Sequence, residues 1–132
     1  MKQNLMLTIF SLLTFLFLSF HMAGDIVYGY EKGGLANLVG TVLISVVWLC
    51  GTLLLAGRRS GHVIIILGSL LGLFVPYVHM SGEKGVGVAS RLANTSGHFF
   101  FVWTLLAIGV TSLFSVVLAA RGLWSLRRGQ SH

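Results

Sequence analysis

Four long apolar stretches alternate with short polar ones along this chain of 132 residues. They cover residues 4–23, 37–57, 61–80 and 98–120. Each reaches the roughly 20 residues with which a helix crosses about 30 Å of hydrocarbon. A helix satisfies its backbone hydrogen bonds internally, as a bilayer requires. Continuous apolar runs such as Val63–Leu67 lack the alternation of a transmembrane strand. The pattern predicts an all-α integral membrane protein, a single domain of four transmembrane helices.

The first stretch also has features of a cleaved signal peptide, because Lys2 precedes the apolar run. Signal peptides have an apolar core of about 7–15 residues, whereas this run is longer. Cleavage after Ala23 would also place the bulky His21 where a small residue is required. We therefore expect the segment to be retained as the first helix.

Charged residues make up only 9% of the chain, and basic residues outnumber acidic ones by nine to three. Soluble domains average about 25% charged residues, so this composition excludes a soluble fold. Nucleic-acid binding would need a basic face on a folded soluble body, and the basic residues here lie in short clusters between apolar runs. We expect the lipid bilayer as a partner, together with a homo-oligomer or larger membrane complex, and no nucleic acid.

The basic residues also predict the orientation. Six of them fall on one side of the predicted membrane: Lys2, Arg58, Arg59, Arg121, Arg127 and Arg128. Three basic residues and all three acids fall on the other. Because short cytoplasmic loops are enriched in Lys and Arg, both termini should be cytoplasmic. The predicted location is a cell membrane, the inner one if the chain is bacterial, crossed several times.

A sequence repeat relates the two halves of the chain. Residues 21–29 read HMAGDIVYG and residues 79–87 read HMSGEKGVG, an offset of 58. This repeat predicts a duplicated two-helix hairpin, with halves at residues 4–57 and 62–120. Halves offset by two helices run parallel and are related by an axis along the membrane normal. The predicted architecture is an up-down bundle of two such hairpins.

Small residues indicate where helices approach one another. Gly68 and Gly72 form a G-x-x-x-G step that Pro76 continues on the same face. Small side chains allow transmembrane helices to pack closely. The sequence leaves open whether these contacts lie within one chain or between subunits.

The candidate chemistry lies at the outer side of the predicted membrane, where five polar residues gather: His21, His79, His98, Asp25 and Glu83. His21 and Asp25 are four residues apart, as are His79 and Glu83, and such pairs share a helix face. Imidazole and carboxylate are common ligands of zinc, copper and iron, so these residues are candidate metal ligands. Two histidines at matching depth could instead hold a haem from both faces.

A ligand-free interpretation accounts for many of the same residues. Gly24 and Gly82 have the position of glycines that end helices, and Asn37 and Asn94 could cap the returning helices. A histidine in a last helical turn also interacts favourably with the helix dipole. This interpretation does not explain why an acid recurs beside each histidine. His62 and His132 fall on the opposite side, as interfacial or tail residues.

The sequence has no nucleophile motif, no glycine-rich phosphate loop and no His-Glu-x-x-His. An enzyme is therefore not expected. A carboxylate in the middle of a span, typical of proton-coupled pumps, is also missing from the apolar runs. We expect a non-enzymatic accessory or sensor component with an outward-facing His/acid cluster. The alternatives are a metal- or haem-binding protein for redox or metal handling, and an oligomeric channel or small-solute carrier.

Overall fold

The computed structural model describes residues 2–28, 34–80 and 97–129. These residues form α1 (Lys2–Tyr28), α2 (Gly34–Leu49), a π-helical segment (Cys50–Leu54) that continues α2, α3 (Arg59–Met80) and α4 (Gly97–Arg127). Four helical stretches are long and apolar enough to cross a membrane: Asn4–Val27, Gly34–Leu54, Arg59–Met80 and Phe99–Arg127. The prediction of an all-α chain with four helices long and apolar enough to span a membrane is confirmed for the described residues.

Several helix ends differ from those predicted. α1 continues through Gly24 to Tyr28, so Gly24 does not end the helix. α2 begins at Gly34, which places Asn37 inside the helix rather than at its cap. A helix that ends within hydrocarbon leaves backbone groups without partners, so continuing each helix towards the membrane surface is favourable. Gly82 and Asn94 lie outside the described residues.

α4 packs along both α1 and α3, and these two pairings provide most of the contacts between helices. Most buried positions on the three helices recur at intervals of three, four or seven residues, the spacing of a coiled-coil seam. We call these positions the seam. They are Leu7, Ser11, Thr14, His21 and Asp25 on α1; His62, Ile65, Ser69, Gly72 and His79 on α3; and Phe101, Leu105, Ile108, Ser112, Ser115 and Ala119 on α4.

Polar and apolar layers alternate along the seam. The layer with His21 and His79 is followed by an apolar layer with Leu105 and Ile108, both fully buried. A layer of hydroxyl side chains comes next, formed by Ser11, Thr14, Ser69, Ser112 and Ser115. Beyond it, Leu7, Ile65 and Ala119 form a second apolar layer, and His62 is buried at the far end.

Hydroxyls in the middle layer are satisfied partly by their own helices. Thr14 Oγ1 donates to the Phe10 carbonyl oxygen at 2.9 Å, and Ser115 Oγ donates to the Thr111 carbonyl oxygen at 2.9 Å. Such bonds to the preceding turn let Ser and Thr occupy helix interiors. Ser69 Oγ and Ser112 Oγ of the same layer make no hydrogen bond to the described residues, so these bonds lower the desolvation cost of only part of the layer.

α2 is held to the seam near its C-terminal end. Trp48 Nε1 donates to Ser11 Oγ at 2.8 Å, and Thr52 in the π segment hydrogen-bonds the same hydroxyl oxygen at 2.7 Å. The two predicted packing glycines serve different neighbours. A Cβ on Gly68 would lie 2.7 Å from the Trp48 ring of α2, whereas one on Gly72 would contact Ser112 of α4.

The connection from α2 to α3 is short and tightly packed. Gly57 has a φ of 75°, a conformation that favours glycine. A Cβ on Gly61 would contact the Leu55 carbonyl oxygen and lie 2.8 Å from the Gly51 carbonyl oxygen. The connection places Arg58 and Arg59 beside the end of α4, where Arg59 Nη2 donates to the Leu126 carbonyl oxygen at 3.4 Å.

Candidate metal centre

α1 contributes an imidazole and a carboxylate to one point near its C-terminal end. Because α1 remains helical through Gly24, His21 and Asp25 are one turn apart on the same face. His21 Nε2 lies 3.4 Å from Asp25 Oδ2. The two residues are only 3% and 4% exposed, respectively. A buried carboxylate is costly unless it is paired or coordinates a cation, and the His21 ring provides one such pairing.

α3 contributes the second imidazole in a defined tautomer. His79 is buried, and its Nδ1 lies 2.9 Å from the Val75 carbonyl oxygen. A carbonyl oxygen only accepts, so Nδ1 donates its proton and Nε2 of the neutral ring carries the lone pair. Metal-binding histidines commonly donate their other N–H to a backbone carbonyl in this way.

The three side chains converge. His21, Asp25 and His79 each offer a ligand atom, and these atoms all lie within 4.8 Å of one another. Ligands at about 2.0–2.1 Å from a tetrahedral zinc are roughly 3.4 Å apart, which is the separation between His21 Nε2 and Asp25 Oδ2. The group could therefore hold a metal ion.

Phe101 of α4 closes the site from the third helix of the seam. Its ring centroid lies 5.1 Å from that of His21 and 6.0 Å from that of His79. Apolar surroundings reduce the local dielectric and strengthen charge interactions inside the site. They also penalise a buried polar atom without a partner. Neither ring nitrogen of His21 makes a hydrogen bond to the described residues, so a ring nitrogen lone pair could instead bind a cation.

The chemistry of this donor set favours a transition metal. Two imidazoles and one carboxylate match the ligands of catalytic zinc sites and of non-haem iron sites. The arrangement argues against haem held between the two histidines. Their rings meet edge to face with centroids 4.9 Å apart, which leaves no space for a porphyrin between them.

The structure thus brings together three of the five residues predicted as ligands. Glu83 lies outside the described residues, as does the side chain of His98, whose backbone is in the first turn of α4. Gly24 does not end α1, so on this helix the repeated His-Met-x-Gly-acid pattern is not a stop signal.

The burial of His62 and its close packing against Gly122 were not expected from the sequence. His62 was expected at the membrane interface, but it is 2% exposed and its Nδ1 lies 2.8 Å from the Arg58 carbonyl oxygen. A Cβ on Gly122 would contact its Nε2, which shows why a glycine stands there. The coiled-coil spacing along α3 is the sequence signal that indicates the burial of His62. The positions that share this spacing are His62, Ile65, Ser69, Gly72 and His79.

Comparisons of this chain with protein-family models, with curated proteins and with solved structures give no match.

Proposed function

We propose that this protein is a non-enzymatic membrane component that binds one divalent transition-metal ion through His21, Asp25 and His79. The observation that carries the proposal is the convergence of two imidazoles and a carboxylate, all buried, from two different helices. Because α1 and α3 both supply ligands, occupancy of the site would be coupled to how these helices pack. Such coupling is what a metal sensor or a metal-dependent accessory subunit requires.

The tautomer of His79 supports this role. The bond from Nδ1 to the Val75 carbonyl oxygen fixes the ring orientation and leaves Nε2 as the ligand atom. Burial of the site excludes competing water. Asp25 supplies the single negative charge that lowers the cost of placing a cation there.

Elemental analysis of the purified protein after exposure to Zn²⁺ and removal of excess metal tests the proposal. We expect about one ion per chain, and its loss in His21→Ala, His79→Ala and Asp25→Asn. His62→Ala is the matched control, since His62 is equally buried and bonds a carbonyl oxygen through Nδ1 in the same way. Absence of stoichiometric metal in the native protein, or an equal loss in the control, would refute the proposal.

The visible absorption spectrum of bound Co²⁺ provides a second measurement of the site. A site with two nitrogen ligands and one oxygen ligand should produce visible absorption bands of bound Co²⁺. Zn²⁺ should displace them competitively. Bands that persist in Asp25→Asn at full intensity would place the ion elsewhere.

The proposed arrangement in the membrane is an up-down bundle of two parallel-repeat hairpins with cytoplasmic termini. Residues 58 positions apart are buried at corresponding positions of α1 and α3: Ser11 corresponds to Ser69, and His21 to His79. This correspondence supports a duplication. The six basic residues predicted to be cytoplasmic support the orientation, and the membrane would be a cell membrane.

An oligomeric channel or carrier is the alternative function. Leu105 and Ile108 are fully buried and fill the seam between the histidine and hydroxyl layers. Conduction would therefore need a route between chains. Ion flux into liposomes that contain the purified protein, with Zn²⁺ binding absent, would favour this alternative.

A further inference from the structure

An apolar groove runs between α2 and α3 on the outside of the bundle. Its volume is about 280 Å³, nearly twice the roughly 150 Å³ of an engineered apolar cavity that accommodates benzene. The residues along its walls are apolar and include Val47, Ile64, Leu67 and Leu71. Val47, Leu67 and Leu71 are all more than half exposed, so the groove opens sideways towards the bilayer.

Trp48 and Gly68 form the floor of the groove. The indole is 2% exposed and is fixed by its hydrogen bond to Ser11. Because Gly68 has no side chain, the indole ring can lie directly against α3. This contact closes the bottom of the groove without filling it.

Two exposed arginines lie where α3 begins, beyond the Ile64 end of the groove. Arg58 lies in the connection between α2 and α3, and Arg59 is the first residue of α3. The Arg59 guanidinium is held near the end of α4 by its bond to the Leu126 carbonyl oxygen. A guanidinium has five N–H donors, so this bond leaves other donors available for a phosphate. Asp25, the one acid among the described residues, lies at the opposite end of α1.

The distances match one leaflet of a membrane. At a rise of about 1.5 Å per residue, Ile64 lies roughly 8 Å and Leu71 roughly 18 Å along α3 from Arg59. Half of a hydrocarbon core of about 30 Å is roughly 15 Å. A headgroup at the arginines would therefore place an acyl chain at the depth of the groove.

We infer that this surface binds one anionic phospholipid, with its phosphate at Arg58 and Arg59 and an acyl chain in the groove over Trp48 and Gly68. The guanidinium groups match phosphate in charge and in hydrogen-bond geometry. The apolar groove matches the chain. This inference is independent of metal binding.

Native mass spectrometry of the full-length protein, transferred from nanodiscs that contain phosphatidylglycerol and phosphatidylcholine, tests the inference. We expect one retained phosphatidylglycerol per chain in preference to phosphatidylcholine. Arg58→Gln with Arg59→Gln should lower that retention by about tenfold or more. Arg121→Gln with Arg128→Gln is the control pair at the same predicted membrane surface, because Arg128 is held over the Trp124 ring 4.7 Å away and neither residue adjoins Leu126, and it should retain the lipid.

A second pair of variants tests the groove separately. Leu67→Trp should fill the groove and displace the lipid. Leu106→Trp places the same ring at a lipid-facing position of α4, where Leu106 is 53% exposed compared with 59% for Leu67, and should leave retention unchanged.

Three results would overturn the inference. Equal losses in the two arginine pairs would indicate diffuse surface attraction. Displacement of the lipid by excess inorganic phosphate would show that phosphate alone is recognised and that the groove contributes nothing. A change of oligomeric state in Leu67→Trp with lipid retention unaffected would identify the groove as a contact between copies of the chain.

Discussion

The imidazole rings of His21 and His79 meet edge to face, with centroids 4.9 Å apart. The two residues come from different helices and are 58 positions apart in the chain. Their Asp25 neighbour completes a group of three donors that is buried inside a membrane-spanning bundle. The site therefore depends on the relative register of α1 and α3.

Metal occupancy should fall as the pH is lowered. Imidazole and carboxylate bind metal in their deprotonated forms, so protons compete with the ion for His21, Asp25 and His79. We expect Zn²⁺ retention to be full at neutral pH and to decrease steadily on acidification, as measured by elemental analysis after dialysis at each pH. Retention that does not vary with pH would argue against ligation by these groups.

The assignment of His98 and Glu83 as additional metal ligands remains a prediction. A divalent ion with two neutral imidazoles and one carboxylate keeps a positive charge, which a second carboxylate would neutralise. We expect Glu83→Gln and His98→Ala each to weaken Co²⁺ binding and to change its absorption bands. Glu31→Gln serves as a control acid outside the repeated His-Met-x-Gly-acid pattern. Unchanged spectra in both variants would indicate a site completed by solvent.

Gly61→Ala should destabilise the protein by about 1–3 kcal/mol, the usual cost of overpacking. The added Cβ would meet the backbone carbonyls of Leu55 and Gly51, which cannot rotate away as a side chain can. Gly40→Ala is the control, because nothing lies within 4 Å of the new Cβ, and the added methyl group should stabilise α2 by up to about 1 kcal/mol through helix propensity. Unfolding in mixed micelles compares the two free energies; similar values would contradict the packing described at Gly61.

The hydrogen bond between Trp48 and Ser11 should have a measurable coupling energy. Bonds between transmembrane helices average about 0.6 kcal/mol and reach about 1.7 kcal/mol. We expect a double-mutant cycle of Trp48→Phe and Ser11→Ala to give a coupling in this range, with Thr52 still available to Ser11 in the first variant. A coupling indistinguishable from zero would mean that the indole contributes by packing alone.

Reporter fusions should place the C-terminus in the cytoplasm. The reason is the distribution of Lys and Arg, which strongly favours the side that carries Arg58, Arg59 and the end of α4. A fusion after Arg128 should be active with a cytoplasmic reporter, and one after Glu31 with an external reporter. The opposite result at both positions would reverse the proposed orientation.

Much of this arrangement could be predicted from the sequence, because the bilayer leaves few choices of backbone structure. Long apolar runs predict helices, and the repeated motif predicts His21 and His79 as a pair. The ends of the helices were less predictable. Gly24 has the sequence of a helix stop, but the helix continues because a free backbone end inside the membrane would be costly.

The position of α2 could not be predicted from composition. All four helices are apolar, and lipid tails are as apolar as leucine, so hydrophobicity does not indicate which helices pair. The three-four spacing of small and polar residues was the informative signal. It identifies α1, α3 and α4 as the seam and would have shown that His62 is buried.

The π-helical segment at Cys50–Leu54 sets the rotational phase of α2 about its own axis. A turn of this segment contains about one residue more than an α-helical turn, and the segment accommodates that residue while Trp48 stays against Ser11 and Gly68. Each residue of an α-helix turns the chain by about 100°, so a further residue inserted here would rotate everything that precedes it relative to α3. Such an insertion would therefore detach a whole membrane span from the seam while removing none of the atoms that hold it there.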